Sequence, residues 1–127
     1  MAHICICLKT IAVVEDNRDN RLLLQAFLSV QYAIVEYETG PSALEGLKQN
    51  VPDLVLLDVS LPGMDGLEVL AHVRADDRLK ALPVIALTAH AMSGDRERFL
   101  KAGFNDYVAK PIVDENVLYS AIARLLK

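Results

Sequence analysis

The sequence predicts an α/β fold in which helices cover both faces of a parallel β-sheet. Short, continuously apolar runs such as residues 54–57 are typical of strands that are buried on both faces. Amphipathic stretches with helical spacing separate these runs, so that strand and helix alternate five times along the chain. The 127 residues suffice for one domain with a substantial core, and a content of 53% hydrophobic and 24% charged residues excludes a disordered chain.

Five short segments have the composition of β-strands. Four of them are mainly apolar, whereas the second contains Glu36 and is followed by Glu38, which indicates a strand at the edge of the sheet. The predicted strands are Thr10–Val14, Ala33–Tyr37, 54–57, 84–87 and Asp106–Ala109.

Five helices are predicted to follow these strands in turn. The first begins after Asn17, a residue type that suits the N-cap position. The other helices are predicted at residues 42–49, 67–75, Asp95–Ala102 and 115–126, and Gly103 is expected to end the fourth because glycine readily adopts a left-handed C-cap. Helical spacing predicts these inward-facing residues: Leu23, Leu24, Phe27, Leu28, Ala43, Leu44, Leu47, Leu67, Leu70, Val73, Leu118, Ala121, Ile122 and Leu125.

The alternation also predicts how the strands are ordered. Right-handed crossovers leave few topologies, and for five units the natural result is an α/β, flavodoxin-like, doubly wound five-stranded parallel sheet of order 2-1-3-4-5 with five helices. The first and third strands are then neighbours, so Glu15, Asp16 and Asp58 converge at the carboxyl ends of the strands. Thr88 and Lys110 end the next two strands along the same edge.

The three carboxylates at this edge need a positive partner. Two unit charges ~4 Å apart repel by about 4 kcal/mol at an effective dielectric near 20, and Lys110 is the one nearby cation that the sequence offers. Mg²⁺ suits the remaining negative charge because it prefers carboxylate and carbonyl oxygens, whereas the lack of histidine or cysteine at these strand ends disfavours zinc. Taken alone, Asp58 is equally compatible with an ordinary turn residue.

A carboxylate beside Mg²⁺, an ammonium and a hydroxyl group is equipped to take a phosphoryl group. Phosphoryl transfer depends mainly on positioning and charge neutralisation, and carboxylates act as nucleophiles in other aspartyl-phosphate chemistry. We therefore predict that Asp58 is the nucleophile, and that Lys110 and the Thr88 hydroxyl each face a phosphoryl oxygen.

Separated motifs in the same order along the chain resemble the receiver domain of two-component response regulators. These motifs are Glu15-Asp16-Asn17, Asp58 with Leu61-Pro62 and Gly66, Thr88-Ala89, and Lys110-Pro111. The resemblance divides the chain into a lead-in at residues 1–8, which has no counterpart in the family pattern, and a receiver domain at residues 9–127. Asn17, Asn20 and the stretch from Thr88 to Met92 further resemble receivers of hybrid kinases and of stand-alone relay proteins.

The resemblance implies a role for each site residue. Asp58 would be the phosphoacceptor and Lys110 would contact the phosphoryl group. Thr88 would be the switch hydroxyl, Tyr107 would be the switch aromatic residue, and the Lys110-Pro111 peptide bond would be cis. The residues implied to bind Mg²⁺ are Glu15, Asp16, Asp58 and, through its backbone carbonyl, Ser60.

The resemblance also implies the partners. The phosphoryl group would come from a sensor histidine kinase or a histidine phosphotransfer protein. The signal would pass to a downstream protein through the face formed by the fourth helix, fifth strand and fifth helix, or by onward phosphotransfer, since nothing follows the fifth helix. The protein would catalyse its own phosphorylation and dephosphorylation rather than turn over a substrate.

Composition limits the remaining classes. A net charge of −4 and a pI near 5.3 disfavour nucleic-acid binding, and no apolar run is long enough to span a membrane. No secretory signal is present, so we expect a cytoplasmic protein in which Cys5 and Cys7 are reduced. Three alternatives remain open: a haloacid-dehalogenase-like phosphatase, which Ser60 disfavours because that family has a second Asp there; a receiver-like binding module that is not phosphorylated; and a fragment of a hybrid kinase.

Overall fold

A computed structural model describes residues 8–89, 95–110, 112 and 114–126 and confirms the predicted fold class. All strand pairs are parallel, and their order is β2-β1-β3-β4-β5. The strands are β1 Thr10–Val14, β2 Ala33–Tyr37, β3 Leu54–Asp58, β4 Val84–Thr88 and β5 Asp106–Ala109. The helices are α1 Arg18–Leu28, α2 Gly40–Gln49, α3 Gly66–Ala75, α4 Asp95–Ala102 and α5 Glu115–Leu125.

The core consists of two apolar layers, one on each face of the sheet. Alternate residues of the central strands point to opposite faces. Ile11, Val13, Leu54 and Leu56 therefore pack with α1 and α5, whereas their strand neighbours pack with α2, α3 and α4. The central strands β1, β3 and β4 are almost completely buried, and β2 lies at the predicted edge with mostly exposed or half-buried side chains.

Two helices begin earlier than predicted because a capping residue lies farther upstream. Helix α2 begins at Gly40, since Thr39 and Ser42 form a reciprocal capping box. Helix α3 begins at Gly66, where the Asp65 side chain accepts a hydrogen bond from the backbone N–H of Glu68. The Asn17 N-cap of α1 and the end of α4 before Gly103 are as predicted. Gly103 has a φ of +116°.

The buried face of α1 is narrower than predicted. Leu24 and Leu28 are buried, but Leu23 is 38% exposed, so the prediction for Leu23 is wrong. The reason is that the inward stripe runs through Arg21, Leu24 and Leu28, and Leu23 lies beside it. The other half-buried residues among those predicted to face inward are Phe27, Leu44, Leu67 and Leu125.

None of the helices in the described part of the chain is long and apolar enough to cross a membrane. The lead-in lies outside the described residues, apart from Leu8.

Candidate functional site

Three carboxylates meet where β1 and β3 end side by side. One oxygen each of Glu15, Asp16 and Asp58 lies within 4.8 Å of the others. Glu15 is 1% exposed and Asp58 is 2% exposed, whereas Asp16 is on the surface. The predicted convergence of these acids is therefore present, with two of them buried beneath one that contacts solvent.

Lys110 reaches this cluster from the end of β5. Its Nζ lies 3.2 Å from Glu15 Oε2 and 3.2 Å from Asp58 Oδ2. The backbone N–H of Lys110 donates to the carbonyl of Thr88 at 2.7 Å, which extends the β4–β5 ladder past the last strand residue. The same extension holds the lysine at the edge of the sheet where the acids lie.

The electrostatics of the cluster favour added positive charge. Burial, followed by repulsion from Asp58, raises the pKa of Glu15 above its usual range, although Lys110 and Asn20 act in the opposite direction. Burial alone would lower the pKa of Lys110, but Glu15 and Asp58 together outweigh it and raise that pKa. Lys110 therefore stays charged, and the ionised form of Glu15 is disfavoured by burial and then by the charge of Asp58.

The turn after β3 holds the backbone close to Asp58. The Ser60 N–H donates to Asp58 Oδ1 at 2.9 Å, and the Val59 N–H donates to Leu87 O at 3.0 Å. Gly66 permits this turn to fold back on the strand. A Cβ at Gly66 would lie 2.7 Å from Val59 Cα and closer still to the carbonyl oxygen of Asp58. Only glycine fits there without displacing the strand end.

Thr88 and Tyr107 lie on the same face of the sheet. Tyr107 pairs with Ala86, two residues before Thr88, and alternation places the Thr88 side chain on the face that carries Ala86. Thr88 is 2% exposed, whereas Tyr107 is half-buried with its ring centroid 6.2 Å from that of Phe99 in α4. The two predicted switch residues thus lie on the same face of adjacent strands, offset by two residues.

The structure also brings a second cation to the site, so the expectation that Lys110 is the one nearby cation is wrong. The Arg21 Nη1 atom donates to the backbone carbonyls of Glu15 and Asp16 at 2.8 and 3.1 Å. Asn20, one residue earlier, donates to Glu15 Oε1 at 3.3 Å. Sequence reasoning missed Arg21 because its partners are two backbone carbonyls and the carboxylate of Glu38, which no local sequence pattern marks.

Some predictions concern residues that are not described. Pro111, with the predicted cis bond before it, and residues 90–94 lie outside the described part of the chain.

The sequence model of the response regulator receiver domain matches residues 11–123. The chain belongs to this family. The match confirms the resemblance drawn from the motifs and decides against the haloacid-dehalogenase-like alternative.

Relatives of this receiver domain include regulators and kinase domains. The polar-differentiation response regulator DivK of Brucella anthropi is 40% identical over 105 residues, which cover 82% of this chain and 85% of DivK. The receiver domain of a sensor histidine kinase from Pseudomonas aeruginosa PAO1 is 36% identical, with a TM-score of 0.85 over 94% of this chain and 98% of that one. A histidine kinase receiver domain from Syntrophus aciditrophicus is 32% identical, with a TM-score of 0.82 over 93% and 89% of the two chains.

The donor set of this receiver domain fits a hard divalent cation. All three clustered side chains offer carboxylate oxygens, and this is the sole group of three or more potential metal-binding side chains found in the described part of the chain. The related Pseudomonas domain holds a magnesium ion in its active-site cleft. Glu15, Asp16 and Asp58 could therefore hold Mg²⁺ here.

Proposed function

We propose that this receiver domain accepts a phosphoryl group on Asp58 in a Mg²⁺-dependent reaction. The observation that carries the proposal is the position of Asp58. It ends the central strand in contact with Lys110 and beside the acid pair, Glu15 and Asp16. The donor would be a phosphohistidine of a sensor histidine kinase or a histidine phosphotransfer protein, the partner classes of this family.

The transfer would be a displacement at phosphorus. A carboxylate oxygen of Asp58 forms the new P–O bond as the P–N bond to the donor histidine breaks, and the imidazole leaves neutral because its other ring nitrogen has taken a proton from water. Little else is required of the protein than positioning and charge neutralisation. Lys110 already lies 3.2 Å from Asp58 Oδ2, so its ammonium is placed to contact a phosphoryl oxygen added there.

The acid pair has a different task. Glu15 and Asp16 would hold Mg²⁺ together with Asp58 and the backbone carbonyl of Ser60. The ion, when bound, supplies positive charge that offsets the negative charge of the carboxylates and the incoming phosphoryl group. Burial and then repulsion from Asp58 raise the pKa of Glu15, and a cation bound between these two carboxylates would reduce that repulsion.

Readout would begin at Thr88. A phosphoryl group on Asp58 presents new acceptor oxygens, and the Thr88 hydroxyl would turn toward them. Because Tyr107 lies on the same sheet face, its ring could occupy the space that Thr88 vacates. The altered face of α4, β5 and α5 would then bind a downstream protein in the cytoplasm, or the phosphoryl group would pass onward.

The test is phosphorylation by a small phosphodonor. Wild type, Asp58→Asn and the control Asp77→Asn, whose carboxylate is on the surface, are incubated with acetyl phosphate, with and without Mg²⁺. Intact-mass measurement should show one added phosphoryl group in wild type and the control when Mg²⁺ is present, and none in Asp58→Asn. A full shift in Asp58→Asn would refute the assignment of Asp58. No shift in wild type would favour a binding module that is not phosphorylated.

A further inference from the structure

Arg21 is a buried cation directly beneath the acid pair. Arg21 is 9% exposed, and no other basic residue in the described part of the chain is buried as deeply. One guanidinium nitrogen, Nη1, donates to both Glu15 O and Asp16 O, at 2.8 and 3.1 Å. The guanidinium thus binds the main chain of two consecutive residues, and its described hydrogen bonds to Glu15 and Asp16 do not involve their carboxylates.

The rest of the guanidinium is anchored to the neighbouring strand. Nη2 donates to Glu38 Oε1 at 3.1 Å, and Nε lies 3.9 Å from Glu36 Oε2. The backbone of Arg21 is fixed as well, because its N–H donates to Asn17 O in the first turn of α1. The side chain therefore ties the β1–α1 loop to both α1 and the end of β2.

We propose that Arg21 is a positioning residue for the metal site, holding the peptide groups of Glu15 and Asp16 so that their carboxylates face Asp58. This inference rests on the proposed Mg²⁺ binding. Mg²⁺ demands nearly ideal octahedral geometry, so its protein ligands must be held in fixed directions. Asn20 restrains the Glu15 side chain, but of the described contacts only those of Arg21 fix the carbonyls of both acids.

If Arg21 acted on the metal site only through its charge, its removal would have the opposite effect on Mg²⁺ affinity. A positive charge beside a cation site weakens Mg²⁺ binding, so removing a charge that acted only by repulsion would tighten it. Removing a positioning group weakens binding, and loss of a group that orients metal ligands typically lowers affinity by about 10- to 100-fold. The direction of the change in Mg²⁺ affinity therefore separates the two roles.

The experiment is calorimetric titration of the metal-free protein with Mg²⁺ alone. Arg21→Met should bind Mg²⁺ at least about tenfold more weakly than wild type. The matched control is Arg18→Met, which removes one positive charge from the exposed surface of the same helix and should bind at least as tightly as wild type. Urea unfolding without metal measures any structural contribution of Arg21 separately.

Arg21→Lys keeps the charge but cannot reproduce the forked set of contacts. It should also bind Mg²⁺ more weakly, by a smaller factor, and it decides the question if Arg21→Met does not fold. If wild type binds Mg²⁺ and the folded Arg21 variants bind it equally or more tightly, the positioning role of Arg21 is overturned. The proposed function would not be affected by that result. Absence of Mg²⁺ binding by wild type would overturn the proposed function and this inference with it.

Discussion

Replacing Lys110 with methionine should destabilise the metal-free protein more than any ordinary surface substitution. Lys110 contacts two carboxylates at once, and its side chain is only 16% exposed. Methionine retains most of the aliphatic length, so the change chiefly removes the charge. Glu15 and Asp58 would then face each other across a buried site without that cation.

The magnitude follows from the two distances. Each 3.2 Å contact amounts to about 5 kcal/mol of Coulomb energy at an effective dielectric of about 20. Burial of the three charged groups offsets much of this, and removing one partner of a buried ion pair typically costs about 3–5 kcal/mol. We expect a loss in that range at neutral pH. The loss should shrink as the pH falls, because protonation of Glu15 removes the repulsion.

The assay is urea unfolding of wild type, Lys110→Met and Lys101→Met, with and without Mg²⁺. Lys101 is an exposed lysine of α4, so its replacement should change the free energy of unfolding by less than about 0.5 kcal/mol. Added Mg²⁺ should stabilise Lys110→Met more than wild type, because the cation replaces the missing charge. A metal-free loss below about 1 kcal/mol, as for a surface ion pair, would refute the role given to Lys110.

Three further predictions use the same unfolding or binding measurements. The pKa of Glu15 is raised above its ordinary value of 4.5. The folded state therefore keeps the Glu15 proton at pH values where the unfolded state has lost it. Through that interval, the free energy of unfolding falls as the pH rises. Glu15→Gln should therefore flatten this part of the metal-free stability profile and leave stability at neutral pH equal or higher; a large loss would show a structural role. Gly66→Ala should cost about 1–3 kcal/mol in urea unfolding, since the added Cβ meets the backbone of Asp58 and Val59, and wild-type stability would contradict this close approach. Thr88→Ala should still be phosphorylated on Asp58. In wild type, one hydrogen bond to a charged acceptor should change partner affinity roughly 10- to 100-fold on phosphorylation, and the variant should lose most of this change. An affinity change as large as that of wild type would refute the coupling.

Strand positions were predictable because the physical signal is local. A buried parallel strand must be apolar on both faces, and residues 54–57 and 84–87 show this directly. The meeting of Glu15 with Lys110, 95 residues apart, was predictable for a different reason. Parallel strands with right-handed crossovers bring their carboxyl ends to one edge. The long side chain of Lys110 then reaches past the ends of β4 and β3 to Glu15.

The errors in the sequence prediction occur where a side chain contacts a partner that is distant in sequence or makes an unusual local contact. The segment Gly40-Pro41-Ser42 has the composition of a turn, and only the Thr39–Ser42 capping box shows that the helix already starts there. Leu23 fits a helical apolar stripe, but the stripe is occupied by Arg21 instead. An arginine on an inward-facing position is unexpected unless its carboxylate and carbonyl partners are known.

Those partners explain why the cost of burying Arg21 is tolerated. Its guanidinium contacts Glu38 and lies near Glu36 on one side, and on the other it donates to the carbonyl oxygens of Glu15 and Asp16. The edge strand β2 therefore contributes to the site through Glu36 and through the Tyr37 carbonyl, which accepts a hydrogen bond from the Glu15 N–H at 3.0 Å. Lys110 offsets the charge of the acids from the β5 side, whereas Arg21 restrains their backbone from the β2 side. Substitutions at the two cations should accordingly change Mg²⁺ affinity in opposite directions: Lys110→Met should raise it, because a competing positive charge is removed, and Arg21→Met should lower it.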